Sequence, residues 1–180
     1  IADTWVVGRF LGADALAAVG SSYTLMVFLT SVILGLCMGS GAAVSMDYGS
    51  GRADEMRRSI FLSFVLIAAI SLLLNVLVYV SIDPILALLR VPTDVMPLMK
   101  TYLLIVFAGI AATFLYNYCA SILRAIGNAV VPLLFLAVSA VLNVALDLCF
   151  VIVLRLGVGG AAFATVLAQF VSGIGILLYT

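Results

Sequence analysis

The chain has 180 residues, 66% of them hydrophobic and 9% charged, and its eight basic and eight acidic side chains cancel to a formal net charge of +0. A soluble domain carries about a quarter of its residues as charges, so this chain belongs in lipid. Basic residues scattered without a stripe exclude nucleic acid as a partner, and the lack of any histidine leaves proton handling to carboxylates and hydroxyls.

Hydrocarbon cannot satisfy unpaired backbone groups, so only helices and closed barrels span it. The long apolar runs lack the strict alternation of barrel strands, which predicts an all-α polytopic membrane protein. Cys37, Cys119 and Cys149 stand far apart without the paired spacing of zinc or redox motifs and read as small buried apolar residues.

The first expected helix, 1–7, is a stub that looks like the tail of an apolar segment, not a signal peptide with a basic start. The chain also stops inside an apolar run at Thr180, so a piece of a longer protein is expected. GRFLGAD joins the stub to a second helix, 15–48, longer than the roughly 20 residues a bilayer needs. It should tilt, bend or project, with Gly35, Gly39 and Gly41 marking where, and the Gly35–Gly39 GxxxG should serve close helix packing.

YGSGRADEMRRS is a water-exposed loop, with Gly49 and Gly51 as helix stops and Asp54 as a cap for the third helix, 57–80. The three prolines of DPILALLRVPTDVMP preclude one continuous helix there and leave room for a short surface helix. A fourth helix over 97–123 ends at the turn RAIGNAVVP, a fifth covers 132–154, and the short LGVGG leads into a sixth, 160–180. LGVGG is too short for a nucleotide loop. One transmembrane lobe over 1–180, with no soluble domain, is the resulting organisation.

Arg52, Arg57, Arg58 and Arg124 fall on one side of the membrane, and Arg9, Arg90, Lys100 and Arg155 on the other. The clustering around one short loop favours the first side as cytoplasmic.

Two acids interrupt the apolar runs: Asp3 in IADTWVV and Asp147 in LNVALDLCFVIV. Acids inside membrane spans are expensive, usually face a bundle interior, and mark ion or substrate routes. The odd-numbered helices all end on one face, and the rise per residue places Asp3 and Asp147 at about 8–11 Å below it. Thr165 and Tyr102, counted inward from the same face, share that layer at about 8 Å. Asn143, four residues before Asp147, lies on the same helical face one turn deeper.

Carboxylates, an amide oxygen and a hydroxyl are hard ligands suited to a proton or a bare alkali cation, so Na+ could sit among Asp3, Asn143, Asp147 and Thr165. A proton and a cation would compete for these oxygens, and binding would change how the helices bearing them pack. The plainer readings are a helix-end acid for Asp3, structural glue for Asp147, a backbone-bonded threonine and an interfacial tyrosine. Phe114, Tyr116 and Tyr118 are either an aromatic route for flat cations or bilayer-facing filler.

The ordered set DTWVVGRFLGADALAAVG, YGSGRADEMRRS, ILRAIGNAVVP, LNVALD and GVGGAAFAT resembles the amino-terminal half of the multidrug and toxic compound extrusion (MATE) transporters. The Asn143-x-x-x-Asp147 pattern is most similar to the branch related to the DNA-damage-inducible F proteins. The resemblance implies twelve helices in two pseudo-symmetric lobes, with this chain supplying one six-helix lobe, its first helix truncated, and a carboxy-terminal lobe as partner. It also implies a multi-pass protein of the cell (inner) membrane, with the Arg52 loop cytoplasmic. Amphipathic drugs or organic cations would leave in exchange for H+ or Na+, with no cofactor and no enzymatic step.

Carried over by position, the family's ion-coupling residues fall on Asp3, Asn143, Asp147 and Thr165, and its helix 4 tyrosine on Tyr102. A lipid-linked oligosaccharide flippase of the same superfamily is the nearest rival, favoured by basic residues in a central cavity; every Arg and Lys here lies near an expected helix end. An intramembrane aspartyl protease would need YD and GxGD signatures, whereas Ala145 and Leu146 precede Asp147. A non-transporting scaffold would use both acids only for packing.

Overall fold

A computed structural model of the chain describes residues 2–88, 92–93 and 95–180. Arg90, one of the charges used above for sidedness, lies outside the described residues. Helices α1 (Ala2–Phe10), α2 (Ala13–Gly49), α3 (Ala53–Leu88), α4 (Met96–Ala108), α5 (Ile110–Ala125), α6 (Val130–Asp147) and α7 (Gly157–Tyr179) follow in order, with a π-helical segment Leu148–Val153 continuing α6. Among the described residues, α2, α3, α6 with its π-helical continuation, and α7 are long and apolar enough to cross a membrane, and α4 with α5, bent by 45°, passes the same test when counted as one span.

Three boundary differences bear on the packing; α3 and α7 also begin four and three residues earlier than expected, at Ala53 and Gly157. α1 runs on to Phe10 and breaks at Gly12, whose φ of 92° is open to glycine. α3 passes Val80 and continues through Pro84 to Leu88. Pro84 removes one backbone donor, but buried Val78, Ile82 and Leu86, spaced four apart, hold that stretch in the core. Lys100 Nζ also pairs with Asp83 Oδ1 and ties the end of α3 to α4.

The third difference is the break at Gly109 inside the expected fourth helix. A Cβ there would lie 2.7 Å from Val166 Cγ2, so glycine is what lets α7 pack into the bend. Carbonyls near the break are satisfied from α3: Tyr79 Oη donates to Leu104 O at 2.6 Å, and Asn75 Nδ2 donates to Phe107 O. Buried carbonyls require such partners.

The main core joins α2, α3, α4 and α5 through residues such as Ile33, Leu86, Met99 and Phe107. A second cluster draws α1 onto α2, α4, the π segment and α7 through Val6, Val7, Tyr102 and Ala161. Phe61, Leu62, Leu73, Leu77 and Val80 leave much of α3 apolar and exposed, as a lipid-facing surface requires.

Close helix packing falls at Gly41, not at the GxxxG. Gly35 and Gly39 have nothing within 4 Å of an added Cβ, whereas one on Gly41 would meet Ser121 Oγ at 2.4 Å. Ser121 Oγ donates to Cys37 O at 2.7 Å and stitches α5 to α2. Overpacking a filled core costs about 1–3 kcal/mol. Gly41→Ala is therefore expected to lower the unfolding temperature of the purified protein, and Ser121→Ala in the same chain to restore most of the loss.

Cys37 and Cys119 are buried, and Cys149 is exposed. Phe114 and Tyr118 are neither bilayer-facing nor on a route past the acids: both pack on Phe64 with ring centroids 5.3 Å away, inside the core. Tyr116 is half-buried and donates to Pro132 O at 2.9 Å.

Candidate functional site

Three helices deliver the polar layer. On α6, Ser139, Asn143 and Asp147 recur every four residues and so share one face. On α7, Thr165 and Gln169 share a face in the same way, and the fully buried Ala161, Ala162 and Ala164 let neighbouring helices come close. α1 brings Asp3, anchored by Val6 and Val7, which are at most 1% exposed.

The side chains meet at the Thr165 hydroxyl. Its Oγ1 donates to Asp3 Oδ2 at 2.6 Å, with Ala161 O at 3.2 Å as an alternative acceptor, and it accepts from Asn143 Nδ2 at 3.2 Å. One threonine thus bridges α1, α6 and α7. A cleft of about 210 Å³, lined by Asp3, Ser139, Asn143, Thr165 and Gln169 among others, opens beside them.

Asp147 stands apart in its bonding. Its side chain is completely buried, and neither carboxylate oxygen has a hydrogen-bond donor among the described residues. Asp3 is the neighbouring carboxyl, close enough to act on it electrostatically. Two ionised carboxylates have no hydrogen to share, so that contact becomes attractive only when a proton or a cation stands between them. No Lys or Arg forms an ion pair with either acid among the described residues.

The backbone at Asp147 is also unusual. Asp147 closes the α-helical part of α6, and the next turn is π-helical, with Leu154 N–H donating to Cys149 O at 2.9 Å. Such wide turns are rare and occur frequently at functional sites. Gly160 on α7 accommodates this one: a Cβ there would approach Phe150 O to 3.2 Å.

Of the five residues singled out from the sequence, Asp3, Asn143 and Thr165 come together at one hydroxyl, and Asp147 follows Asn143 by one turn on α6, within electrostatic reach of Asp3. Tyr102 lies beside them, buried in the α1–α4–α7 cluster within electrostatic reach of both acids, without a hydrogen bond to either. The depths agree with the geometry: Asp3 is seven residues before the end of α1 and Tyr102 six past the start of α4, each about 10 Å along its helix. The orphaned oxygens of Asp147 with Asp3, Thr165 and Asn143 form an oxygen-rich set that fits a hard monovalent cation or a proton.

Gln169 and Ser139 were not singled out. Gln169 Oε1 accepts from Thr113 Oγ1, and Ser139 Oγ donates to Ala168 O at 3.2 Å. These two residues carry the polar lining on into a second cleft of about 230 Å³ that also touches Asn117 and Ser172. Their signal was present in the sequence: Ser139 precedes Asn143 by four residues and Gln169 follows Thr165 by four.

A polytopic helical bundle with two acids inside it, one completely buried and one half-buried, points to a membrane-transport class of protein. The MatE family model matches residues 1–149, and the chain belongs to that family of transporters. The probable multidrug resistance protein YpnP of Bacillus subtilis (strain 168) is 36% identical over 167 residues, covering 93% of this chain and 38% of that protein. The inward-facing structure of a multidrug resistance MATE family transporter of the MOP superfamily superimposes with a TM-score of 0.94 at 26% identity, over 99% of this chain and 40% of that one. An outward-facing structure of such a transporter matches with a TM-score of 0.93 at 25% identity, over 99% and 39%. The chain therefore spans about two fifths of the length of the relatives it matches.

Proposed function

We propose that this chain is the ion-coupling lobe of a multi-pass antiporter of the cell membrane. It would export amphipathic small molecules or organic cations in exchange for H+ or Na+, completed by a second six-helix lobe. The observation that carries this reading is the acid pair of half-buried Asp3 and completely buried Asp147, which has no cationic side chain opposite it among the described residues. A pair of acids without an internal counter-charge takes its counter-charge from outside, and an exchangeable H+ or Na+ is the form that couples to transport.

Asp3 and Asp147 would act as the ligands, Thr165 as the donor that orients Asp3, and Asn143 as the brace on Thr165. Tyr102 closes the layer from the α4 side. Loading the pair draws α1 toward α6, and unloading it restores the repulsion, so the packing of α1, α6 and α7 follows ion occupancy.

Efflux of a fluorescent organic cation from vesicles containing the full-length protein, driven first by an imposed proton gradient and then by a sodium gradient, tests the proposal. One gradient is expected to accelerate efflux severalfold over vesicles without a gradient. Equal rates under both gradients and under none would sink the coupling role.

A further inference from the structure

A second feature lies at the opposite end of the lobe, where α3 begins and α5 and α7 end. α3 and α7 both pack on α5 but hardly on each other, which leaves a crevice of about 410 Å³ between them. Its floor is Tyr118, Cys119 and Ile122 of α5, and its walls are Ile60, Phe61 and Phe64 of α3 and Leu177 of α7. The polar atoms of the floor and wall are already satisfied: Tyr118 Oη donates to Ile60 O at 2.6 Å and lies 2.8 Å from Ser63 Oγ. Thr180, which also lines the crevice, donates its hydroxyl to Ile176 O at 2.7 Å, so the interior offers mainly apolar surface.

The rim differs. Arg57 lines the crevice mouth and is exposed, and it has no ion pair among the described residues. Neighbouring Arg52 is already engaged, with Nη2 3.2 Å from Asp47 Oδ1 and Nη1 on Glu55. Arg58 and Arg124 are exposed and likewise unpaired among the described residues, against Asp54 as the remaining acid beside the α2–α3 turn. An uncompensated positive charge thus stands at the mouth of a greasy slot flanked by the exposed ring of Phe61 and the exposed Leu177.

We propose that this crevice binds one anionic phospholipid from the leaflet on the Arg52 side, with its phosphate on Arg57 and an acyl chain along the α5 floor. Basic pockets between membrane helices select acidic head groups through this combination of charge and apolar surface. A cationic cargo would be repelled by the same arginine, so the crevice is separate from the acid layer in chemistry as well as position. The long arginine stem lets the guanidinium reach head-group depth from the helix side.

Native mass spectrometry of the full-length protein, titrated with phosphatidylglycerol or phosphatidylcholine of identical acyl chains, tests this. One phosphatidylglycerol is expected to bind about fivefold or more tightly than phosphatidylcholine, the factor one basic group contributes at a membrane surface. Arg57→Glu should erase that preference, Leu177→Trp should weaken both lipids by filling the slot, and Arg58→Glu should leave the preference largely intact. Arg57→Gln provides the same reading if the charge reversal impairs folding. Equal binding of the two lipids, retention of the preference in both Arg57 variants, or an Arg58→Glu effect as large as that of Arg57→Glu would overturn the proposal. Absence of any adduct, as when further chain fills the crevice, would overturn it too.

Discussion

Replacing Asp147 with asparagine is expected to reduce gradient-driven efflux to the rate of protein-free vesicles while the protein still inserts and unfolds at or above the wild-type temperature. Asparagine has nearly the same shape, so the fully buried site keeps its packing. What it loses is the capacity to alternate between a charged and a neutral form. Asp147 oxygens receive no donor from the described residues, and no Lys or Arg among them pairs with it. Removing an uncompensated buried charge is neutral or stabilising for a fold. Lost transport combined with retained stability would separate a coupling residue from structural glue, whose removal lowers both.

Asp3→Asn should give the same phenotype, and the double variant should be no worse than either single one. In the proposed reading the two neighbouring carboxyls share one ion, so the first substitution already destroys the site. Groups that act as a unit show this non-additivity. A double variant markedly worse than both singles would mean that the acids serve separate steps.

The level of the acids was legible because membrane helices alternate direction and rise by a fixed amount per residue. That ruler places Asp3, Tyr102, Asp147 and Thr165 in one layer without any knowledge of packing, and the four-residue spacing adds Asn143. Which group would form the centre was not legible. Thr165 is the hub because α7 is lined by small alanines and can approach both α1 and α6, a property of three helices together.

The breaks were read less well, for a related reason. Proline at position 84 argues locally for a stop, yet the buried stripe Val78, Ile82 and Leu86 continues the helix. No proline stands near Gly109, yet the helix bends there because Val166 presses into the space a side chain would need. The π-helical turn after Asp147 leaves no mark in composition at all, since LCFVIV suits an α-helix equally well. Local propensity is a weak prior wherever another helix fills the gap.

Thr165→Val should lower coupled efflux by about 10- to 150-fold, the equivalent of the ~1.5–3 kcal/mol carried by a hydrogen bond to a charged group. Valine keeps the branched shape but withdraws the 2.6 Å donor from Asp3 and the acceptor from Asn143 in one step. Thr165→Ser retains the hydroxyl and should stay within a few-fold of wild type. Asn143→Ala removes only the 3.2 Å bond to the hub, a neutral contact worth ~0.5–1.5 kcal/mol, and should cost about 2- to 12-fold. The order of these effects is the critical reading. If Asn143→Ala proved more damaging than Thr165→Val, the amide would be acting on the ion directly, and the threonine would no longer be the joint through which α6 senses Asp3.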